Sequence, residues 1–560
     1  MKKNWKVKKR KFPGILTQLL VNRGITTKTQ RLRFLEPRYE RDLADPFLMR
    51  DMKKAVARIC SALKNREKIG IFGDYDVDGV CGSVILSDFF ERFGVSPFFE
   101  TYLPDRQRDG YGLNMHGLTH FKKQGVTLLI TVDCGITDHK EIAWAGKHGM
   151  EVIVTDHHEV SQGLPPAFAV LNPKRKNERF PFAGLAGTGV AFKLLQALRK
   201  KVNHEKISEA WEKWILDLVA FATVADQMPL VSENRVLVKY GLFIFAKTKR
   251  IGLQELIKSA GIDEAEITTE HLLYQLAPRV NAASRIDHAL KAFKLLKTND
   301  RNEARVLASE IDKANKERQR LVQEAMKEVQ ALIEERRGEI QKEKFIFEGS
   351  KHWQPGVCGL VSNKIMERYG YPTFIYSIGK EMAKGSVRSY PPFSVVQAMK
   401  SAGKLLIDWG GHHQAGGFSI APKNLDAFRQ ILKKYVAESA GEEFTPSLEI
   451  DAELEAKDIT LELWQEVSKL EPFGKGNPEP LFLLKNAAIW ALRKVGQDES
   501  HFKLTLQKDD RFFEAIYFRG VQDNGDLQKG DSVDVVFTLK RSTWGMTKVE
   551  LSVVDLRRVT

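Results

Sequence analysis

Between residues 68 and 172, short apolar runs alternate with stretches of helical periodicity. The runs are rich in Ile, Val, Leu and Phe and cover residues 68–72, 127–132, 151–155 and 168–171. A parallel pair of strands needs a crossover long enough to contain a helix, so this alternation predicts an α/β domain with a parallel sheet. We place this domain at residues 56–245, after a lead segment of residues 1–55.

The pattern becomes purely helical further along the chain, in a region that we place at residues 246–344. The stretch from 302 to 344 lacks proline and contains one glycine, Gly338. Its apolar residues recur at helical spacing: Val322, Ala325, Met326, Val329, Leu332, Ile333 and Ile340. The spacing predicts one long connecting helix.

A second α/β unit is predicted at residues 345–446. Strand-like runs at 344–348 and 373–377 are separated and followed by helical patterns. A boundary near Thr445 and Pro446 ends the unit. The domain is expected to be smaller than the first.

The last part of the chain, residues 447–560, changes character. A Pro- and Gly-rich passage at 471–480 precedes segments of alternating hydrophobicity at 501–506, 512–518 and 532–538. Several short strands joined by turns favour a small β-barrel, of the type that binds oligonucleotides (OB).

Composition limits the class of protein. A chain of 560 residues with 43% hydrophobic and 28% charged residues is a multidomain globular protein, with three or four domains expected. It has no apolar run of about 20 residues and no signal-like stretch at the N-terminus, so we expect no membrane association. The four scattered cysteines form no Cys-x-x-Cys pair, which suits a reducing cytoplasm. The net charge of +15 favours a polyanionic partner.

Three acidic clusters follow three of the predicted strands. They are Asp74, Asp76 and Asp78 in a Gly-flanked turn, then Asp133, and then Asp156, His157 and His158. Because the carboxyl ends of parallel strands meet at one edge of a sheet, these clusters should converge there. A single Asp-x-Asp is usually a turn and a lone His-His pair is usually structural, but three clusters at equivalent positions favour a functional site.

Converging carboxylates repel one another unless cations lie between them. Asp and His side chains suit manganese, magnesium or zinc. Asp76 and Asp78 can face different ions, while Asp133 is the best candidate to bridge two ions about 3.5–4 Å apart. The pattern therefore predicts a two-metal site that activates water against phosphorus.

Four motifs resemble those of the DHH phosphoesterases, and most closely those of the RecJ family of single-strand-specific DNA exonucleases. They are Asp-Tyr-Asp-Val-Asp-Gly at 74–79, Thr-Val-Asp-Cys-Gly-Ile at 131–136, Thr-Asp-His-His at 155–158 and Ala-Thr-Val-Ala-Asp-Gln-Met-Pro-Leu at 222–230. The resemblance covers essentially the whole chain. It includes the stretches at 103–112, 278–285, 410–417 and 471–480.

The resemblance implies a role for particular residues. The implied metal ligands are Asp74, Asp76, Asp78, Asp133, His157 and Asp226. His158 is implied to support the scissile phosphate, and Asp156 to orient the histidines. Arg106, Ser386 and Arg388 match positions that hold a 5′ phosphate, and Tyr111 matches a base-stacking position. The implied strand contacts are Arg279, Arg285, Gln319 and His412.

By the same resemblance, the protein is expected to be a 5′→3′ exonuclease of DNA repair and recombination that releases 5′ mononucleotides with two manganese or magnesium ions. The implied partners are single-stranded DNA, single-strand-binding protein and a RecQ-type helicase, and the protein is expected to be a monomer. One alternative is a DHH phosphodiesterase for short RNA or cyclic dinucleotides. Another is a relative without catalytic activity that binds nucleic acid or acts as a replication scaffold.

Overall fold

The computed structural model describes residues 3–94, 98–106, 108–161, 163–202, 204–439, 447–496, 498–542 and 549–559. The chain forms two compact units. The parallel-sheet unit contains residues 19–315 and 465–479, and the barrel unit contains residues 1–18, 316–464 and 480–560. The units divide the chain differently from the predicted run of consecutive domains, because residues 1–18 and 465–479 each join a unit distant in sequence.

The described residues form strands and helices throughout. The strands are β1 Asn4–Val7, β2 Ile69–Gly73, β3 Phe99–Tyr102, β4 Leu128–Val132, β5 Glu151–Thr155, β6 Ala169–Leu171, β7 Ile346–Ser350, β8 Thr373–Ile378, β9 Ala383–Arg388, β10 Leu406–Gly411, β11 Ala415–Ile420, β12 Ser447–Ile450, β13 Ala452–Glu453, β14 Phe482–Val495, β15 His501–Lys508, β16 Arg511–Tyr517, β17 Ser532–Arg541 and β18 Val549–Arg558. The helices are α1 Ile15–Asn22, α2 Lys28–Leu35, α3 Tyr39–Asp42, α4 Met52–Asn65, α5 Val77–Phe93, α6 Met115–Lys123, α7 His139–Lys147, α8 Gly187–Lys201, α9 Glu209–Trp214, α10 Leu216–Ala225, α11 Ser232–Phe245, α12 Ile251–Ser259, α13 Ala277–Ile286, α14 Leu290–Lys297, α15 Arg301–Glu335, α16 Arg337–Glu343, α17 Pro355–Tyr369, α18 Val395–Ser401, α19 Leu425–Ser439, α20 Leu461–Ser468 and α21 Gly520–Asn524.

The parallel-sheet unit contains a five-stranded sheet in the order β3-β2-β4-β5-β6, with every neighbouring pair parallel. This confirms the predicted sheet. The central strands β2 and β4 are buried along their whole length, as expected where helices cover both faces. Gly73 pairs with Val132, and Val132 pairs with Thr155, so β2, β4 and β5 end level with one another.

The barrel unit contains the second predicted α/β fold and the predicted barrel. The first is a mixed sheet in the order β10-β11-β9-β8-β7, in which only β7 and β8 are parallel. Aromatic residues fill its core, among them Phe347, Phe374, Phe418 and Phe428. The strands β14, β15, β16, β18 and β17 pair in that order, and β14 also pairs with β17. The ring of five strands is therefore closed, which confirms the OB-type prediction.

The single connecting helix predicted for residues 302–344 is wrong in one respect. Helix α15 ends at Glu335, and α16 begins at Arg337. Arg336 between them leaves helical geometry, with φ −105° and ψ 19°, and its guanidinium binds Glu348 at 2.6 Å and Glu339 at 3.1 Å. A tertiary ion pair outweighs local helical propensity at this point.

Two further findings concern a predicted domain boundary and the expected absence of membrane-spanning helices. The boundary near Thr445 and Pro446 lies outside the described residues. None of the described helices combines the length and apolar character needed to cross a membrane.

Candidate metal centre and strand-binding residues

The ends of the three central strands bring acidic residues together. Asp74 follows β2 and Asp133 follows β4, and their amides extend the ladder to Val132 O (3.1 Å) and Thr155 O (2.9 Å). Asp133 has a φ of 61°, an unusual left-handed conformation for a residue other than glycine. Gly187 packs against it so closely that a Cβ atom there would lie 2.6 Å from Asp133 Cβ. The site thus requires glycine at this helix start.

Asp76 and Asp78 lie at the N-terminus of α5, where the sequence predicted a Gly-flanked turn. Asp76 is the N-cap and accepts from the amides of Asp78 (2.8 Å) and Gly79 (3.2 Å). The Asp78 carboxylate accepts from the amides of Gly187 and Thr188, both at 2.7 Å. Two helix N-termini therefore hold the two carboxylates apart, in different orientations.

His157 and Asp226 complete the cluster. His157 Nε2 lies 3.1 Å from Asp133 Oδ1, 3.5 Å from Asp226 Oδ2 and 3.8 Å from Asp78 Oδ2. Asp226 reaches the cluster from the C-terminus of α10, an element that forms no part of the sheet. All six predicted metal ligands thus lie in one region of the parallel-sheet unit.

The arrangement fits metal ions. Three groups have ligand atoms within 4.8 Å of one another: Asp78, His157 and Asp226; Asp74, Asp76 and Asp133; and Asp133, His157 and His158. Asp133 and His157 each belong to two groups, and Asp133 is the carboxylate that joins the Asp74 and Asp76 group to His157. Among the described residues, the buried atoms Asp74 Oδ1, Asp133 Oδ1, His157 Nε2 and Asp226 Oδ2 accept or donate no hydrogen bond. Unsatisfied buried polar atoms are costly and rare, so cations are the fitting partners.

The electrostatics support the same interpretation. Burial, and then repulsion from the neighbouring carboxylates, raise the pKa of Asp74, Asp133 and Asp226 well above the usual range. The same two causes raise the pKa of Asp78 to about 6. Cations among these oxygens would remove the repulsion and favour the ionised forms.

The two histidines have different environments. Burial and the adjacent His158 lower the pKa of His157 to about 3, so this ring is neutral, as a metal ligand must be. Burial disfavours the protonated form of His158. The 2.8 Å hydrogen bond from its Nδ1 to Asp156 Oδ1 outweighs this effect and raises the pKa of His158 to about 9. His158 is therefore a cation suited to a phosphate oxygen.

Asp156 is fully buried and serves as an acceptor for its surroundings. Its Oδ1 also accepts from the amides of His157 (2.7 Å) and His158 (3.1 Å), and its Oδ2 accepts from Ile136 N (2.9 Å). Although burial acts in the opposite sense, the hydrogen bond and charge of His158 lower the pKa of Asp156 to about 2. Asp156 bonds the imidazole of His158 but only the backbone amide of His157, and its orienting role stays a prediction.

Tyr111 and Arg106 lie beside the cluster. The Tyr111 ring is 45% exposed, yet its hydroxyl donates to Asp133 O at 3.2 Å and lies 3.0 Å from His158 Nδ1. The Arg106 guanidinium lies 4.6 Å from the centre of the Tyr75 ring, close enough to Asp74 for its charge to act on that carboxylate. The positive charge of Arg285 acts on the Tyr75 hydroxyl.

Ser386 and Arg388 lie on β9 of the barrel unit, at alternate positions and so on one face of the strand. Gly359 of α17 faces both: a Cβ atom there would lie 3.3 Å from Ser386 Oγ and from Arg388 Nη2. Burial lowers the pKa of Arg388, and its guanidinium donates to Val387 O at 2.8 Å but pairs with no carboxylate of the described residues. A half-buried guanidinium without a carboxylate partner among the described residues, beside a hydroxyl and a glycine that adds no side chain to crowd them, is suited to an anion.

The remaining residues predicted to contact the DNA strand are spread over both units. In the parallel-sheet unit, Arg279 binds Asp312 Oδ1 at 3.1 Å and Gln275 O at 2.7 Å, and Arg285 lies in the last turn of α13. In the barrel unit, Gln319 of α15 and His412, in the turn between β10 and β11, are exposed. All eight substrate-binding assignments stay predictions.

Sequence reasoning missed several residues that shape the site. Gly187 and Thr188 hold Asp78, Asn281 accepts from Val77 N at 3.1 Å, and Asn172 donates to His158 O at 2.9 Å. The run Gly187-Thr188-Gly189 before an apolar helix could have been recognised as a helix N-terminus able to receive an anion. Asn172 and Asn281 carry no such signal.

Comparison with known proteins agrees with the geometry. The family model of the DHH family N-terminal domain matches residues 68–223, that of the DHHA1 domain residues 342–438, and that of the RecJ OB domain residues 450–555. The chain is 36% identical over 541 residues to the single-stranded-DNA-specific exonuclease RecJ of Bacillus subtilis (strain 168), covering 95% of this chain and 66% of the relative. It thus spans just under two thirds of that relative's length.

Two further matches cover more of the matched protein. The single-stranded-DNA-specific exonuclease RecJ of Thermus thermophilus is 34% identical over 534 residues, which cover 93% of this chain and 73% of the relative. A crystal structure of RecJ from Thermus thermophilus in complex with Mn²⁺ superposes with a TM-score of 0.84 at 29% identity, covering 100% of this chain and 80% of that one. The chain therefore belongs to the RecJ family of DHH proteins.

Proposed function

We propose that the protein is a single-stranded-DNA-specific exonuclease that hydrolyses its substrate from the 5′ end and releases 5′ mononucleotides. One observation carries the proposal: the six carboxylate and imidazole side chains converge, with unsatisfied buried atoms, at the carboxyl edge of the parallel sheet. Two RecJ relatives that match more than nine tenths of this chain are named for this activity.

In this proposal each side chain has a stated task. Two divalent ions, manganese or magnesium, would be held by the carboxylates and by His157, with Asp133 between them, and would polarise the phosphodiester and activate a water. Asp156 holds His158 through the bond to Nδ1, which leaves Nε2 of the cationic ring to donate to a phosphate oxygen. Asp78 is fixed by the Gly187 and Thr188 amides, so the cluster needs little reorganisation on binding.

Digestion of oligonucleotides labelled at the 5′ or the 3′ end tests the proposal. A 5′ label should appear at once as a mononucleotide, whereas a 3′ label should remain on progressively shorter strands. Equal or faster turnover of a dinucleotide than of a long strand would favour the alternative of a short-RNA or cyclic-dinucleotide phosphodiesterase. Binding without any hydrolysis, in the presence of manganese, would favour the relative without catalytic activity.

The direction of digestion is proposed to depend on Arg106, Ser386 and Arg388. Only a strand terminus offers a phosphate with two ionisable oxygens, whereas an internal phosphodiester carries one charge. Losing a charge-assisted hydrogen bond costs about 1.5–3 kcal/mol, roughly ten- to a hundredfold. Arg388→Ala should therefore reduce by about that factor the ratio of kcat/KM for 5′-phosphorylated over 5′-hydroxyl oligonucleotides.

The control for this prediction is Arg368→Ala, which removes an exposed arginine from α17 in the same unit. That variant should keep the wild-type ratio. If Arg388→Ala also keeps it, or if the wild type shows no preference, binding of the 5′ phosphate has been assigned to the wrong residues.

The barrel is proposed to hold the strand by stacking. Trp490 on β14 and Phe512 on β16 are 52% and 53% exposed, their ring centres are 5.4 Å apart, and Lys529 Nζ lies 5.5 Å from the Trp490 ring. Exposed aromatic rings beside a cation are the usual elements of single-strand binding. A truncation of residues 447–560 would also remove residues 465–479 from the parallel-sheet unit, so point substitutions are the cleaner test.

Trp490→Ala and Phe512→Ala should each raise the Kd for a long single strand about tenfold, since stacking contributes about 1–3 kcal/mol per base. Hydrolysis of an oligonucleotide too short to reach the barrel should change little. Trp490→Phe, which keeps an aromatic ring, should restore most of the affinity. Wild-type affinity for long strands in both alanine variants would contradict the proposed role of this face.

Finer aspects of the function are also part of the proposal. The protein is proposed to act as a monomer in the cytoplasm, where its four free cysteines suit a reducing environment. Single-strand-binding protein and a RecQ-type helicase are the proposed protein partners, because both act on the strand that this enzyme would degrade. Sedimentation of the protein alone, and then with each partner, tests these assignments.

A further inference from the structure

A cavity of about 310 Å³ opens beside Asp226 in the parallel-sheet unit. Val224 and Gln227 line it, so the metal ligand Asp226 lies in the segment that forms one wall. Gln227 has a φ of 51°, a left-handed conformation that costs free energy for a residue other than glycine and is concentrated at functional sites. The cavity therefore adjoins the proposed reaction centre.

Another part of the lining is the loop from Phe473 to Glu479, which is hydrogen-bonded to the same unit. Leu230 N donates to Lys475 O at 2.7 Å, and Thr269 Oγ1 donates to Phe473 O at 2.7 Å. Buried Asn477 donates through Nδ2 to Leu470 O (2.8 Å) and Pro472 O (2.9 Å). Because these bonds fix the loop, the cavity is formed before any ligand binds.

Arg235 strengthens the attachment at the start of this loop. Its buried guanidinium donates to the carbonyl oxygens of Leu470 (2.8 Å) and Glu471 (2.8 Å), and to Phe34 O at 2.7 Å. The guanidinium also lies 3.8 Å from the centre of the Phe34 ring, and none of its hydrogen bonds goes to a carboxylate of the described residues. Burying such a cation costs free energy, since burial lowers the pKa of Arg235 to about 9. The cost indicates that the position of the loop matters.

The lining combines rings, apolar groups and one cation. Tyr274 lies in the π-helical turn His271–Leu276 and is 71% exposed, the most exposed large hydrophobic side chain of the described residues. Leu273 and Phe473 contribute apolar surface beside it, and π-helical turns are common at functional sites. Lys475 forms no ion pair with any described residue and is close enough for its charge to act on Asp226.

We infer that this cavity binds a nucleobase of the single-stranded substrate next to the scissile phosphate, with the base stacked on Tyr274 and a neighbouring phosphodiester held by Lys475. An exposed ring over an apolar floor suits a planar base of any sequence, and the cation suits the backbone. Glu270 and Glu479 also line the cavity and disfavour a phosphate away from Lys475. The inference rests on the proposed exonuclease function and adds a subsite to it.

Abasic substitution along a 5′-phosphorylated oligonucleotide tests this subsite. For the wild type, removing the base at one position should lower kcat/KM about tenfold, because the stacking of one base on an aromatic ring is lost. Tyr274→Ala should lower kcat/KM on the intact strand by a similar factor and should be insensitive to the abasic site at that position. Tyr274→Phe should behave as the wild type, and Lys475→Ala should reduce the slope of log Kd against log salt concentration by about one.

Phe243→Ala provides the matched control, because Phe243 is an exposed aromatic residue (58%) of the same unit that does not line the cavity. That variant should retain the wild-type response to every abasic position. Tyr274→Ala should melt at the wild-type temperature, since the ring is largely exposed. If the wild type hydrolyses the strand but Tyr274→Ala remains as sensitive as the wild type at every position, the subsite is wrong. If the wild type releases no nucleotide, the proposed function itself fails.

Discussion

Asp133→Asn is expected to lower kcat by about 10³-fold or more, while the Kd for a long single strand changes by less than about threefold. Asp133 is 2% exposed and belongs to two of the three candidate ligand groups. An amide of the same size removes one negative charge from between two cations but leaves the side chains proposed to contact the DNA strand unchanged. The loss should therefore appear in turnover, measured on a 5′-labelled oligonucleotide, and not in binding.

A stability measurement separates this loss from misfolding. In the metal-free protein, burial and the charges of Asp78 and Asp76 oppose ionisation of Asp133. Replacing it with a neutral side chain should leave the Tm of the metal-free protein unchanged or raise it. Asp263→Asn, the same change at the exposed N-cap of the 3₁₀ turn Glu264–Glu266 in the same unit, should keep wild-type kcat. Wild-type turnover in Asp133→Asn would contradict the bridging role.

Asp156→Asn is expected to lower kcat by about 100-fold through the orientation of His158. Asp156 accepts four hydrogen bonds, three of them from His157 and His158. An amide group replaces one accepting oxygen by a donor, so at least one buried donor loses its partner, at a cost of about 1–3 kcal/mol in stability. Single-turnover rates and the free energy of unfolding in urea measure the two effects.

The matched control for Asp156→Asn is Asp217→Asn. Asp217 is also buried and accepts from Thr248 Oγ1 at 2.7 Å, but it contacts none of the proposed metal ligands among the described residues. The Asp217→Asn variant should keep wild-type turnover at temperatures where it is folded. Equal loss of turnover in both variants would mean that Asp156 acts only through stability.

The acidic residues that follow the β-strands could be predicted from the sequence, because a local pattern places them there. An apolar run followed by Asp, repeated at Asp74, Asp133 and Asp156, places side chains at the edge of a parallel sheet whatever the rest of the fold is. Asp226 has no such pattern, since it ends a helix outside the sheet, and only the resemblance to the DHH motif identified it. Asn281 and Gly359 reach their positions through tertiary packing, which no local pattern encodes.

The parts of the fold that the sequence did not predict also depend on tertiary contacts or on weak local patterns. Strands β9 to β11 contain many Gly and polar residues and only partial burial, so their alternation is weak. The end of α15 depends on the ion pair between Arg336 and Glu348 on a different element. The predicted run of consecutive domains could not include the return of residues 465–479 to the parallel-sheet unit, which depends on the buried donors Arg235 and Asn477.

The central claim is that hydrolysis requires cations held by the converging carboxylates and His157. The most direct test is a manganese titration of protein freed of metal by a chelator, with bound ions and mononucleotide release measured on the same sample. We expect no release without metal, and recovery as about two ions bind per chain. Asp133→Asn should bind fewer ions and stay inactive throughout. Mononucleotide release that continues in excess chelator would contradict the account.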